Sequence, residues 1–217
     1  TIDGNDNVIV GTNDTSGSGY VYQFNTNNWL QLGESMPDSN VVAALGVNGS
    51  TIYAGTNSAD RSGPPHNPGN VYQLVGNNWQ LVGLGSLPDG GNAYELAFLN
   101  NNVYVSTIPD IYSYYELTTV VGGGNVYVSE SATGAWSLVG SESLPNNRWT
   151  DHSRYNPISI YNNTLYAGSN GNKDTNNGGT VYQSLNINSI PQGTTWSGFI
   201  TGAVDGTIIY SIAVNPT

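Results

Sequence analysis

Cysteine is absent from this 217-residue chain, which excludes disulfides, thiolate catalysis and cysteine-based zinc sites. Basic residues are scarce, because four Lys and Arg stand against fifteen Asp and Glu, for a net charge of −11. Nucleic acids and anionic membranes both require clustered cations, which this composition does not supply. No apolar run approaches the roughly 20 residues of a membrane-spanning helix. We therefore expect neither nucleic-acid binding nor membrane insertion.

The residues that are abundant favour short strands joined by polar turns. The chain has 28 glycines, many Asn, Thr and Ser residues, and only 9% charged residues. Trp, Tyr, Val, Ile and Leu recur with the spacing of strands, which argues against disorder. Low lysine with abundant Asn, Thr and Gly suggests a secreted or cell-surface microbial protein. No signal peptide is present, so we expect that any such segment was removed or not included.

One sequence pattern recurs four times along the chain. Its clearest element is a Val-Tyr pair, at Val21-Tyr22, Val71-Tyr72, Val126-Tyr127 and Val181-Tyr182. The pairs lie 50, 55 and 55 residues apart, and the step from Val181 through the joined ends to Val21 is 57. Short strands repeated at a period near 50 are typical of β-propellers.

Each repeat contains four candidate strands. In the second repeat these are residues 41–47, 51–56, 70–75 and 79–82, with Asn/Gly turns after the first and third. Such turns join neighbouring antiparallel strands. Before each Val-Tyr pair, the second strand ends in a small and a hydroxyl residue, as in Gly55-Thr56. Four strands followed by a longer connector make one propeller blade.

The fourth blade is divided between the two ends of the sequence. The chain begins with a second strand, Val8 to Thr12, and ends after a first strand, Tyr210 to Val214. Inserting the last strand beside the first would leave no open edge between first and last blades. The sequence therefore predicts an all-β, four-bladed β-propeller with four antiparallel strands per blade, one blade being closed by strands from both termini. Residues 1–217 would form this single domain.

The repeated elements resemble those of kelch- or tectonin-like repeat propellers. The resemblance is carried by the Trp of each repeat, the Val71-Tyr72-Gln73 strand and the strand from Ile52 to Thr56. It covers the whole chain and concerns its architecture. It implies a propeller fold, and no functional residue follows from it.

Several repeated residues are expected to serve the scaffold. One tryptophan per repeat is expected to pack between neighbouring sheets: Trp29, Trp79, Trp136 and Trp196. Pro37-Asp38 and Pro88-Asp89 precede first strands, where an Asp carboxylate commonly accepts backbone N–H groups in a turn. A ring of catalytic carboxylates is the less favoured interpretation of these residues.

The sequence indicates no cofactor, with a calcium or channel-bound ion as a minor alternative. Oxygen-bearing side chains alternate from Asp3 to Asn7 as they do in a calcium loop. However, Val8 occupies the place where an EF-hand requires glycine, and no flanking helix is possible. An Asn/Asp turn is the favoured interpretation.

The repeat is least regular in the loops that should emerge on one face. The loop from Ile108 to Gly124 is the longest between a second and a third strand, and the connector after Pro145 holds an additional tryptophan. Two of the three arginines and one of the two histidines lie in this connector; Arg61 and His66 occupy another loop of the same face. Arginine forks suit carboxylates and flat aromatic rings suit sugars. The candidate ligand-binding residues are Arg148, Trp149, Asp151, His152, Arg154, Tyr155, Tyr112, Tyr114 and Tyr115. Local ion pairing and packing explain the same residues equally well.

These observations favour an extracellular, lectin-like carbohydrate-binding module with one asymmetric site for a glycan or cell-surface polysaccharide. A glycan-active enzyme is the rival, because Asp89, Glu95 and Asp151 could supply the two carboxylates of a glycosidase. In a polysaccharide lyase, His152 or a loop tyrosine could act as the base. A structural surface or fibre protein is the third interpretation, and its loops would mediate self-association. The sequence identifies no catalytic residue and leaves the question of enzyme activity open.

Overall fold

The computed structural model describes residues 1–14, 17–38, 40–57, 68–108, 124–131, 133–140, 144, 157–169, 179–185, 187, 196–200, 209 and 211–213. All regular secondary structure in these ranges is β, arranged in four antiparallel sheets of three or four strands. The expected all-β class and the fourfold repeat of sheets are confirmed. No helix in the described ranges is long and apolar enough to cross a membrane.

Each sheet is an up-and-down meander of consecutive strands. Sheet 1 contains β1 (Val8–Asn13), β2 (Gly19–Asn25) and β3 (Asn28–Gln31). Sheet 2 contains β4 (Val41–Asn48), β5 (Thr51–Asn57), β6 (Val71–Val75) and β7 (Asn78–Leu81). Sheet 3 contains β8 (Asn92–Leu99), β9 (Asn102–Ile108), β10 (Val126–Ser129) and β11 (Ser137–Leu138). Sheet 4 contains β12 (Ile158–Tyr161), β13 (Thr164–Ser169), β14 (Thr180–Ser184) and β15 (Ser197–Ile200).

Two-residue turns set the register of the hairpins. Asn48 pairs with Thr51 across Gly49 and Ser50, and Tyr161 pairs with Thr164 across Asn162 and Asn163. Gly49 has φ +61°, and the two asparagines have φ +46° and +58°. Glycine and asparagine adopt this left-handed conformation at the least cost, so these sequence positions end one strand and start the next.

The sheets pack on one another in chain order through three hydrophobic clusters. Ile9, Ala54 and Trp79 belong to the cluster between sheets 1 and 2. The cluster between sheets 2 and 3 includes Val71 and Val105, and further residues fill the interface between sheets 3 and 4. Strands β4, β8 and β12, the first of their sheets, contact one another in that order.

The repeated tryptophans are mostly scaffold residues, but Trp29 is not. Trp79 is buried, and Trp136 and Trp196 are half-buried against the clusters. Trp79 packs on Gly33 of sheet 1 and Trp136 on Gly83 of sheet 2.

Trp29 is 53% exposed and contacts Phe24 of its own sheet, with ring centroids 5.0 Å apart. The expectation of burial is therefore wrong for Trp29. Trp79 and Trp136 each pack on the sheet that precedes their own in the chain, whereas the described clusters place no sheet before sheet 1.

The closing strand predicted at Tyr210 to Val214 is not seen in the described part of the chain. Ser211, Ile212 and Ala213 belong to no strand, and Tyr210 and Val214 lie outside the described residues. Ile209 nevertheless contacts sheet 4, because a methyl group placed on Gly168 or on Gly179 would lie 2.9 Å from its side chain. Pairing of the C-terminal segment with β1 is not observed in these ranges.

Candidate functional site

The nine ligand-binding residues predicted from the sequence all fall outside the described residues. They are Arg148, Trp149, Asp151, His152, Arg154, Tyr155, Tyr112, Tyr114 and Tyr115. Arg61 and His66 lie outside the described ranges as well. The structure does describe the strand ends from which these segments depart.

A carboxylate organises the base of the loop after β5. Asp38 Oδ2 accepts hydrogen bonds from Thr56 Oγ1 at 2.7 Å and from Asn70 Nδ2 at 2.9 Å. Its Oδ1 accepts the backbone N–H of Asn40 at 3.1 Å. The backbone N–H of Asn70 donates to Thr56 Oγ1 at 3.0 Å. The connector into sheet 2 and both ends of the loop are therefore joined at one point.

The same arrangement recurs in sheet 3. Asp89 Oδ2 accepts from Thr107 Oγ1 at 2.6 Å and from Asn125 Nδ2 at 2.8 Å, and Oδ1 accepts the N–H of Gly91 at 3.0 Å. The turn interpretation of the two Pro-Asp pairs is therefore confirmed. Both oxygens of each carboxylate already accept hydrogen bonds within their own repeat, so these groups serve the scaffold.

Sheets 1 and 4 retain only the hydroxyl part of this arrangement in the described residues. Thr12 Oγ1 donates to the carbonyl of Tyr20 at 3.5 Å, and Ser169 Oγ donates to the carbonyl of Thr180 at 3.3 Å. The hydroxyl residue that ends each second strand thus ties it to the start of the third.

The hydrogen bonds from Thr56 and Thr107 bring loops and connectors to one end of the sheets. We call this end the loop face; it carries Asp38, Asn70, Asp89 and Asn125.

Two tyrosines lie beside the carboxylates of the loop face. Burial, reinforced by Asp38, raises the pKa of Tyr72 well above its ordinary value. Burial and Asp89 raise the pKa of Tyr127 in the same direction. Both phenols therefore remain protonated and act as neutral hydrogen-bonding groups at physiological pH.

Glu95 is a titratable residue at a position where the repeat elsewhere has an apolar one. Register places it opposite Ser106, whereas sheet 2 has Ala44 opposite Gly55 at the corresponding position. Its Oε2 accepts the backbone N–H of Ile158 at 2.8 Å, which links β8 to the first strand of sheet 4. Burial raises the pKa of Glu95, and the hydrogen bond from Ile158 partly opposes that shift. Ser106 Oγ is buried without a hydrogen-bond partner among the described residues.

The oxygen-rich segment near the N-terminus forms the turn favoured by the sequence. Asp3 Oδ1 accepts the N–H groups of Asn5 and Asn7, each at 2.9 Å. Its Oδ2 accepts from the side-chain amides of Asn7 at 3.0 Å and Gln23 at 2.6 Å. The hydrogen bonds from Asn7 are the main reason that the pKa of Asp3 is lowered. Within the described ranges, no cluster of three His, Asp or Glu residues could hold a metal ion.

A pocket of about 470 Å³ lies at the opposite end of the sheets, between sheets 2 and 3. We call this end the turn face; it carries the turns at 49–50 and 100–101. The pocket is lined by Asn48, Gly49, Ser50, Thr51, Tyr53, Asn100, Asn101 and Ser131. Sequence reasoning missed it, because these residues read as ordinary turn residues. The available signal was Tyr53, an aromatic residue on the strand that follows an Asn/Gly turn.

The comparisons with known proteins show the fold. No known family matches the sequence, and no curated protein matches it. The solved structure of YjhT matches 93% of this chain and 64% of its own, with a TM-score of 0.58 and 12% identity. A mutant of the Aleuria aurantia lectin in complex with Fucα1-6GlcNAc matches 90% of this chain and 57% of its own, with a TM-score of 0.55 and 13% identity.

This chain therefore spans less than two thirds of the length of either structure. At these identities the likeness concerns the fold alone. Four successive antiparallel sheets and this similarity confirm the resemblance to kelch-like repeat propellers at the level of the fold. The chain is similar in fold to a kelch-like propeller and to a β-propeller lectin.

Proposed function

We propose that this chain is a secreted or cell-surface carbohydrate-binding module that holds an acidic glycan at one asymmetric site on the loop face. The site would comprise Arg148, Trp149, Asp151, His152, Arg154 and Tyr155 together with the tyrosines at 112, 114 and 115. The fold similarity to a lectin whose structure contains Fucα1-6GlcNAc supports glycan binding as the class of function.

The hydrogen bonds that join the two ends of each loop to a connector carry this proposal. Thr107 and Asn125 flank the tyrosine-containing loop and share the Asp89 carboxylate, which belongs to a connector. Loops after second strands and connectors between sheets therefore start on the same face. The segment from 145 to 156 follows β11 and precedes β12, as the Asp89 segment follows β7 and precedes β8. By this equivalence the connector with two arginines would belong to the loop face.

The clustering of the scarce cations, rather than the net charge of the chain, supports an acidic ligand. The chain has only four Lys and Arg, and two of them fall in one ten-residue connector. Arginine forms bidentate, charge-assisted hydrogen bonds with carboxylates, while Trp149 and the tyrosines offer flat apolar surfaces to sugar rings. A uronate- or sialate-bearing glycan would use both kinds of group.

Arginine substitution tests the proposal most directly. We expect Arg148→Ala and Arg154→Ala each to weaken binding by about 1.5–3 kcal/mol, the range of hydrogen bonds to charged groups. Binding should also weaken as salt rises, because exposed charged pairs are screened. The measurement is a glycan array of acidic and neutral oligosaccharides followed by titration, with turnover assays on the same ligands. Lys173→Ala, which removes a cation from another loop, is the matched control. Salt-independent binding that neither arginine affects would contradict the proposal.

We also propose a closed four-bladed ring in which Tyr210 to Val214 lies beside β1. The packing of Ile209 supports it. Ile209 faces Gly168 and Gly179 of sheet 4 as Val42 faces Gly11 and Gly19 of sheet 1. Ala93 faces Gly55 and Gly69 of sheet 2 in the same way. Val42 and Ala93 belong to first strands, so in a closed ring Ile209 would occupy the corresponding position for the sheet that follows sheet 4.

A further inference from the structure

The pocket on the turn face is chemically different from the cluster of arginines and aromatic residues proposed on the loop face. Its lining consists of amide and hydroxyl side chains, two glycine and asparagine turns, and one tyrosine, with no charged side chain among the lining residues. Amides and hydroxyls each offer both donors and acceptors. Its volume of about 470 Å³ falls in the range of small-molecule pockets, about 300–1,000 Å³. A small neutral ligand rich in hydroxyl groups matches this lining.

Tyr53 provides a second observation that points to a ligand. The residue is only 8% exposed, and its hydroxyl has no hydrogen-bond partner among the described residues. Tyr104, at the same position of sheet 3, is fully buried and donates its hydroxyl to the carbonyl of Ile187 at 3.3 Å. The Tyr53 hydroxyl therefore keeps its donor and acceptor open to a molecule bound in the pocket.

The pocket is also built to hold its shape. Asn48 Nδ2 donates to the carbonyl of Asn100 at 2.9 Å and so ties the turn of sheet 2 to that of sheet 3. The ring of Tyr53 is held by Phe98, with centroids 4.9 Å apart. Gly49 and Asn100 adopt left-handed conformations, with φ +61° and +55°, in the turns that form the rim. A ligand would therefore not have to order these residues, which lowers the cost of binding.

We propose that this pocket binds a neutral monosaccharide unit, with the Tyr53 hydroxyl and the amides of Asn100 and Asn101 hydrogen bonding to sugar hydroxyls. This second site is separate from the loop-face site and does not depend on it. The apolar edge of the Tyr53 ring would contact the carbon face of the sugar. Because no lining residue is charged, binding is expected to be insensitive to salt.

The test uses two tyrosine variants at equivalent positions of neighbouring sheets. The probes are the methyl glycosides of L-fucose, D-galactose, D-mannose and N-acetyl-D-glucosamine, titrated into the full chain and followed by NMR of the side-chain amides. At least one probe is expected to bind and to shift the amide signals of Asn100 or Asn101. Tyr53→Phe should weaken that binding about tenfold, the effect of one hydrogen bond, and leave the melting temperature unchanged.

Tyr104→Phe is the matched control. It removes a hydroxyl that is already paired inside the protein, so it should lower the melting temperature and leave sugar binding unchanged. Asn101→Ala, in an exposed turn, is a second variant that should weaken binding without destabilising the fold.

Three outcomes would overturn the proposal: no probe binds, Tyr53→Phe binds as the wild type does, or Arg148→Ala abolishes the binding of these neutral probes. The last outcome would assign the sugar to the loop face. Conversely, loss of acidic-glycan binding in the arginine variants with neutral binding intact would separate the two sites.

Discussion

Asp38 and Asp89 each hold the two ends of a long loop together through one side chain. Each carboxylate accepts at least three hydrogen bonds from the described residues around it, two of them from groups that flank a long loop. Hydrogen bonds to charged groups are the stronger kind, and leaving a buried partner unpaired costs more than the bond itself contributes. The hydroxyl residues Thr56 and Thr107, both fully buried, are therefore the sensitive positions.

We expect Thr56→Val to lower the free energy of unfolding by about 1–3 kcal/mol, because it leaves Asp38 and the Asn70 N–H short of a partner. Thr12→Val changes the corresponding residue of sheet 1, which is exposed and makes a single bond of 3.5 Å. Its effect should stay within about 0.5 kcal/mol. Denaturant unfolding of both variants measures the difference, and equal losses would contradict the structural role of Asp38.

Glu95 should make stability depend on pH in a definite direction. Burial raises its pKa above the ordinary value of 4.5, so the folded state holds the proton more tightly than the unfolded state does. The free energy of unfolding contributed by this group is therefore greatest at low pH and falls as pH rises from 4.5 through the raised value.

Glu95→Gln keeps an acceptor for the Ile158 N–H and removes the charge. The variant is expected to be more stable than the wild type near neutral pH and to lose less stability as pH rises through that window. Chemical denaturation across the pH series is the measurement. Glu34→Gln, at an exposed position, is the control. A Glu95→Gln variant with the pH profile of the wild type would show that this carboxyl does not titrate with folding.

At the scale of the element, sheets 1 and 2 each receive the outer-strand tryptophan of the next sheet on a glycine. Trp79 on Gly33 and Trp136 on Gly83 are two instances of one contact. These glycines leave room for the indole because a Cβ would clash with it. Their φ values, +71° and +85°, would also strain any other residue. Trp29, at the matching position of sheet 1, contacts Phe24 of its own sheet and is exposed.

Trp79→Ala should therefore cost about 3–5 kcal/mol of unfolding free energy, as for other buried aromatic residues. Trp29→Ala, the same substitution at the matching position of sheet 1, should cost less than about 1 kcal/mol. Thermal and denaturant unfolding distinguish the two. A large loss for Trp29→Ala would mean that another part of the chain covers this residue.

The strands and turns could be predicted from the sequence because local chemistry determines them. The Val-Tyr strands and the Asn/Gly turns fall within a residue or two of their predicted places. Contacts between sheets could not be predicted so well. Trp29 carries the same local signal as Trp79, yet it is exposed where Trp79 is buried, because packing between sheets decides which of the two is covered. Long-range packing of this kind leaves no trace in the local pattern.

At the scale of the whole molecule, the described core consists of three interfaces between four sheets. Under the proposed ring closure, a fourth interface would involve the C-terminal segment, and Ile209 already packs on sheet 4. Deleting residues 207–217 should then remove a first strand and the Ile209 contact together. We expect this truncation to unfold the protein or to lower its melting temperature sharply, as followed by circular dichroism. Removal of residues 215–217 alone is the control, and a full deletion that melts like the intact chain would contradict closure.

The candidate sites could be predicted only in part. Scarce arginines and an additional tryptophan draw attention to the loop face, because they break the repeat. The pocket on the turn face has no such signal, because Asn48, Gly49 and Asn100 follow the repeat as turn residues. Its character depends on the hydrogen bond between Asn48 and Asn100, which joins turns 52 residues apart. A pocket that forms between two regular turns contains no residue that breaks the repeat, so no irregularity of the sequence marks it.

The hydrogen-bonded pairs that flank the two loops, Thr56–Asn70 and Thr107–Asn125, affect which sequence changes the fold can tolerate. The groups that fix each loop lie outside the loop, on strand ends and on connectors. The residues between them can therefore vary in length and composition without altering the framework, since longer loops add closure entropy only slowly. Replacing the segment between either pair of flanking residues should therefore preserve the framework, which would suit it to the display of foreign segments for selection of new binders.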